Sequence, residues 1–169
     1  MGPTRTEAAL RRTALAAAAL AALATTSGCT VAVHAVAGIS VDQDGHLLGV
    51  LMVCSKRIDV VSLEYDDGHR MATVGRWAAD PARGPGPAVW TLDAPAEGWT
   101  AETPMAPLVA GTTYRLRGGT RDDSSAASSV SFTTADRERL TPGNVRYERG
   151  SDVLTVPVAE FEAAACRTD

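Results

Sequence analysis

Beyond residue 30 the chain alternates short apolar runs with polar turn signals at intervals typical of strands. Val31–Val36 is β-rich, and Ile39–Val41 leads into Asp42-Gln43-Asp44-Gly45. An Asp-Gly pair between apolar runs predicts a hairpin, because glycine accepts positive φ. The next run, HLLGVLMVC at 46–54, is apolar at consecutive positions, which predicts a central strand covered on both faces. RIDVVSLEY at 57–65, Asp66-Asp67-Gly68 and RMATVGRW at 70–77 predict a second hairpin. DPARGPGP at 80–87 predicts a mobile loop, since proline offers no ladder donor and glycine adds entropy. AVWTLD at 88–93 reads as a strand and 94–107 as turns. TYRLRGG at 113–119 places Tyr114 and Leu116 on one side and Arg115 and Arg117 on the other. SSVSFTT at 128–134 turns Val130 and Phe132 inward, and VRY at 145–147 and DVLTV at 152–156 add short strands. Pro157 suits the first turn of a helix, and VAEFEAAAC at 158–166 carries Phe161 and Ala165 on one helical face.

Seven to nine strands and one terminal helix predict an all-β domain, an antiparallel sandwich or small barrel. LVAGTTY at 108–114 resembles the tyrosine corner of fibronectin type III and immunoglobulin-like domains, with Ala110 where that pattern carries Pro. The resemblance covers about residues 108–134 and implies that the Tyr114 hydroxyl reaches back to a backbone group. The expected fold is therefore an immunoglobulin-like antiparallel β-sandwich with a short C-terminal helix.

The first thirty residues follow a different pattern. Arg5, Arg11 and Arg12 precede an uncharged Ala/Leu run, Ala14–Ala24, and then the small residues Thr25–Gly28. As a helix that run would reach roughly 16 Å, about half a bilayer core. An uncharged stretch continues to Val41, which leaves an uncleaved anchor as a competing reading. TSGC at 26–29 resembles the lipobox of bacterial lipoproteins, with Thr26 where the family usually carries Leu. RRTAL at 11–15 is similar to a twin-arginine export signal, and Ala22-Leu23-Ala24 is a competing ordinary cleavage site. The lipobox resemblance implies a signal peptide over 1–28, a lipidated (palmitate-bearing) Cys29, one mature domain over 29–169, and attachment at the outer face of the cell membrane. Three cysteines in an exported chain leave one over. With Cys29 lipidated, Cys54 and Cys166 remain as an even pair in a compartment where disulfides persist, and a Cys54–Cys166 bridge is expected.

Composition changes this picture little. The 169 residues are 45% apolar, enough for one core, and the net charge of −4 argues against nucleic acid as a partner. Removing residues 1–28, with three arginines and one glutamate, takes the charge to −6, so an anionic leaflet repels the domain and attachment rests on lipid. There is no Gly-x-Ser-x-Gly and no Cys-x-x-Cys. The Asp-Gly-His hairpin ends could bring Asp44, His46, Asp67 and His69 together as a weak ligand or metal site, although aspartate favours turns for conformational reasons alone. Trp90 is expected inside, and Trp99, in EGWTAETP, as the surface aromatic. Arg115, Arg117 and Arg121 suggest a basic stripe whose acidic neighbours make it a solvated face. The reading that results is a lipid-anchored, non-catalytic module without cofactor that binds a protein or carbohydrate. The alternatives are a metal-dependent hydrolase using the hairpin tips, or a protease inhibitor presenting 80–87.

Overall fold

A computed structural model describes residues 30–167; the expected signal segment 1–28 and Cys29 lie outside the described residues. The strands are β1 (Val33–Val41), β2 (Leu47–Val53), β3 (Ile58–Asp66), β4 (Met71–Arg83), β5 (Gly86–Thr91), β6 (Trp99–Thr103), β7 (Tyr114–Gly119), β8 (Ala126–Ser128), β9 (Val130–Phe132), β10 (Asn144–Arg149) and β11 (Asp152–Pro157). Two short helices, α1 (Thr134–Arg139) and α2 (Val158–Ala164), complete the described residues. The protein is all-β, as expected.

The strands curl into a nearly closed barrel in the order β6–β4–β3–β7–β8–β1–β2–β5. Every pairing is antiparallel except β1 with β8, so the sheet is mixed rather than purely antiparallel. β8 returns from β7 through a short turn closed by Thr120 N–H on the Ser125 carbonyl at 3.0 Å, and that turn lays it alongside β1 in the same direction; strands so distant in sequence need no hairpin and can pair in parallel. One edge of β1 is covered by β2 along Ala35–Val41. Its other edge is shared, by β8 near Val36 and by β10 at Gly38 and Ile39. The hairpin β10–β11 thus hangs outside the barrel, and α2 folds back beneath it.

Two cores result. Inside the barrel, Ile39, Leu47, Leu51, Leu63, Leu116 and Phe132 are packed with all three tryptophans. Outside it, Val50 of β2 packs with Val145, Tyr147 and Phe161, the last from α2. The 46–54 run is apolar at successive positions because β2 feeds both cores, as its pattern predicts. Gly49 faces inward directly opposite Trp90, and a Cβ there would collide with the indole, so only glycine admits this ring. Both predicted hairpins form, with Gly45 at φ +83° and Gly68 at φ +87°.

The elements depart from expectation in three places. The loop expected over 80–87 shrinks to Gly84 and Pro85, because β4 runs on to Arg83 and β5 starts at Gly86. Proline is tolerated here because of where it lies. The β3–β4 register jumps between Val60–Ala78 and Ile58–Arg83, so Pro81 falls in an unpaired bulge, and Pro87 lies on a strand with one free edge. The segment is therefore mostly strand, with Gly84 and Pro85 alone connecting β4 to β5. Residues 94–107, read as turns, contain β6, whose outward positions are polar or small and give no alternation. The third is α1, which was not expected. It is announced by Thr133-x-x-Asp136, a capping box: Thr133 N–H donates to the Asp136 carboxylate at 2.9 Å, and Asp136 N–H donates to Thr133 Oγ1 at 3.2 Å.

Asp136 carries more than the cap. Burial pushes its carboxyl up, but the Thr133 N–H and hydroxyl, Arg139 and the nearby Arg146 together hold it below its ordinary 3.8. A group depressed in the folded state stabilises above its unfolded value and loses that contribution as pH falls through the folded one. Asp136→Asn should therefore cost about 1 kcal/mol at neutral pH, in the range of a lost cap. The gap to wild type should close as the pH falls below about 4. Urea unfolding of both proteins at neutral pH and at about pH 3 measures it, and an equal gap at both pH values would assign the loss to shape rather than charge.

Candidate binding cleft at the barrel seam

The barrel fails to close at one place. Among the described residues, edge strand β5 pairs only with β2, and β6 pairs only with β4. Leu92–Gly98 crosses the gap as irregular chain, tied by Leu92 N–H to the Leu47 carbonyl at 2.9 Å and by Trp99 N–H to the Ala96 carbonyl at 3.2 Å. Trp99 is 7% exposed, which corrects the expectation of a surface aromatic. It stacks on Trp90 with ring centroids 4.1 Å apart and 20° between planes. The Arg83 guanidinium lies 5.5 Å from the Trp99 centroid and donates to the Gly98 carbonyl at 2.9 Å. The two edges that lack ladder bonds are thus joined by an aromatic pair. Trp90 is buried as expected, and its Nε1–H has no partner among the described residues.

Beside this stack lies a cleft of about 420 Å³, lined by Trp77, Leu92, Asp93, Pro95, Trp99 and Met105 together with small neighbours that include Ala101. Volume and apolar lining are those of a small-ligand site. Among the described residues Asp93 is the one charged side chain in its wall, and its Oδ1 lies 3.2 Å from His46 Nδ1. Asp93 was not singled out in the sequence, where it is one acid in an Asp-Ala-Pro turn.

The hairpin-tip residues are not gathered. Asp42 Oδ1 accepts from Asp44 N–H at 2.9 Å and from His46 N–H at 2.8 Å. Asp67 Oδ1 accepts from His69 N–H and Arg70 N–H, both at 2.8 Å. Both turns lie at one end of the barrel, but β8 and β7 separate β1 from β3, about 14 Å at ordinary strand spacing. Among the described residues no three His, Cys, Asp or Glu side chains are placed to hold a metal ion. His46 reaches Asp93 at the cleft rim; Asp44, Asp67 and His69 serve their own turns.

Two of the three stripe arginines, Arg117 and Arg121, meet carboxylates. Arg121 and Arg76 both bind the Glu102 carboxylate, the latter at 2.9 Å, and together they lower its pKa. Arg117 faces Glu64 at 4.0 Å.

Cys54 and Cys166 are bonded, with Cα atoms 5.3 Å apart and both residues at the surface. The Tyr114 hydroxyl accepts from Val109 N–H at 2.7 Å, the bond expected of a tyrosine corner. Compared with known proteins, the chain matches no family model, no curated protein and no solved structure.

Proposed function

We propose that this protein is an exported lipoprotein, held at the outer face of the cell membrane by lipid on Cys29, and that its barrel is a non-catalytic binding module. The observation that carries this reading is the Cys54–Cys166 bridge. A surface disulfide fits a compartment outside the reducing cytoplasm, and the pairing leaves Cys29 as the odd thiol beside a lipobox-like TSGC. The seam cleft supports a binding role. The tyrosine corner at Tyr114 supports kinship with immunoglobulin-like sandwiches over that strand pair, while the parallel β1–β8 pair stands outside an antiparallel plan.

A diacylglyceryl group on Cys29 supplies two chains, enough for stable attachment. Metabolic labelling with palmitate should mark the wild-type protein and leave Cys29→Ala unlabelled. The mature N-terminus, read by mass spectrometry, should be a modified Cys29. A mature chain beginning at Thr25, or label that survives Cys29→Ala, would overturn the anchor.

A further inference from the structure

We propose that the seam cleft binds a small amphiphilic amine, with its apolar body in the cleft and its ammonium group on Asp93. The proposal gives the binding-module reading a ligand class and does not depend on the lipid anchor.

Cleft and charge point the same way. A space of about 420 Å³ accommodates one small molecule rather than a protein segment. Its accessible wall is the hydrocarbon of Pro95, Ala101 and Met105, set over the nearly buried Trp77, Leu92 and Trp99, so an apolar body gains by leaving water. A ligand that covers this wall also takes water from Asp93, whose side chain is 27% exposed. Among the described residues the carboxylate has one side-chain partner, His46, on Oδ1. Covering it with a neutral group forfeits hydration without replacement, and an anion adds repulsion. An ammonium group restores what is lost with a charge-assisted hydrogen bond. The recognised feature is thus one positive donor at the edge of an apolar body.

The cleft exists because the barrel is left unpaired between β5 and β6. Covering that gap with irregular chain leaves a hollow that an eighth ladder, between β5 and β6, would have filled. All three tryptophans of the chain report on it: Trp77 and Trp99 line it, and Trp90 stacks on Trp99.

The test is titration of the full chain with butyl-, pentyl- and hexylammonium, followed by calorimetry and tryptophan emission, with hexanol and hexanoate in parallel. Each added methylene should tighten binding about fourfold, the value of one buried CH₂. Hexylammonium should exceed hexanol by about fivefold, the upper range for a part-exposed ion pair. Asp93→Asn, which keeps the shape and the hydrogen bond, should erase that difference while leaving hexanol unaffected. Ala101→Phe, at an exposed cleft position, should abolish binding of the whole series. Hexanoate binding as well as hexylammonium, absence of a chain-length trend, or unaltered binding by Ala101→Phe would each overturn the proposal. Failure here with palmitate labelling intact removes the ligand class and leaves the anchor reading standing.

Discussion

Replacing Cys54 and Cys166 together with serine should lower the unfolding free energy by about 2–5 kcal/mol. The bridge joins residues 112 positions apart, so it closes a long loop in the unfolded chain, where the chain-entropy model predicts its largest effect. The folded state loses little by comparison, because both cysteines are exposed and fill no core space. What the bridge holds locally is α2. That helix has seven residues, too short to persist alone, and it buries one side chain, Phe161, against Val50, Val145 and Tyr147. The double variant should therefore lose amide protection first over 158–166, and its outer core should open before the barrel melts. Denaturant unfolding of the two proteins, with hydrogen exchange read segment by segment, checks both statements. A loss below about 0.5 kcal/mol, the scale of an ordinary surface substitution, would show that the bridge contributes nothing to the fold.

Trp99→Ala should cost about 3–5 kcal/mol, the range for deleting a buried aromatic. The ring is 7% exposed and packed between Trp90 and Arg83, and the stack adds a directional contribution beyond its area. It stands where two strand edges meet without backbone pairing, so its loss also frees the Leu92–Gly98 crossing. Trp99→Phe should recover part of the loss, because a smaller ring still covers Trp90. Thermal or urea unfolding of both variants decides the matter. A change within about 0.5 kcal/mol for Trp99→Ala would return the residue to the surface role its sequence context suggests.

The contrast between Trp90 and Trp99 shows what is legible locally. Trp90 sits in an apolar run, AVWTLD, and its burial follows from that run. Trp99 sits in EGWTAETP among polar and turn-forming residues, and its partner is a ring on the opposite side of the seam. Nothing within a few residues of Trp99 announces it. The same holds for Pro81, whose missing donor matters only if a neighbouring strand asks for it, and the β3–β4 register jump means that none does. Asp93 is another case. As a residue it is an ordinary turn acid, and it becomes a candidate ligand-binding group only because the gap between β5 and β6 opens beside it.

The sequence by itself determined the all-β class, the two Asp-Gly hairpins, the doubly covered β2, the inward faces of β7 and β9 and the Tyr114 corner bond, and it led to the Cys54–Cys166 pair through the reading that sets Cys29 aside. Each of these rests on an interaction of short range or on counting: side-chain alternation with period two, positive φ at a turn glycine, a hydroxyl reaching back five residues, or the parity of three cysteines. Tertiary structure alone decided the strand order, the parallel β1–β8 contact, the continuation of β4 through Pro81, the burial of Trp99 and the position of the cleft. Those depend on which edges meet across long stretches of chain. The pattern along a strand specifies which face is buried and carries almost no information about which strand will lie beside it.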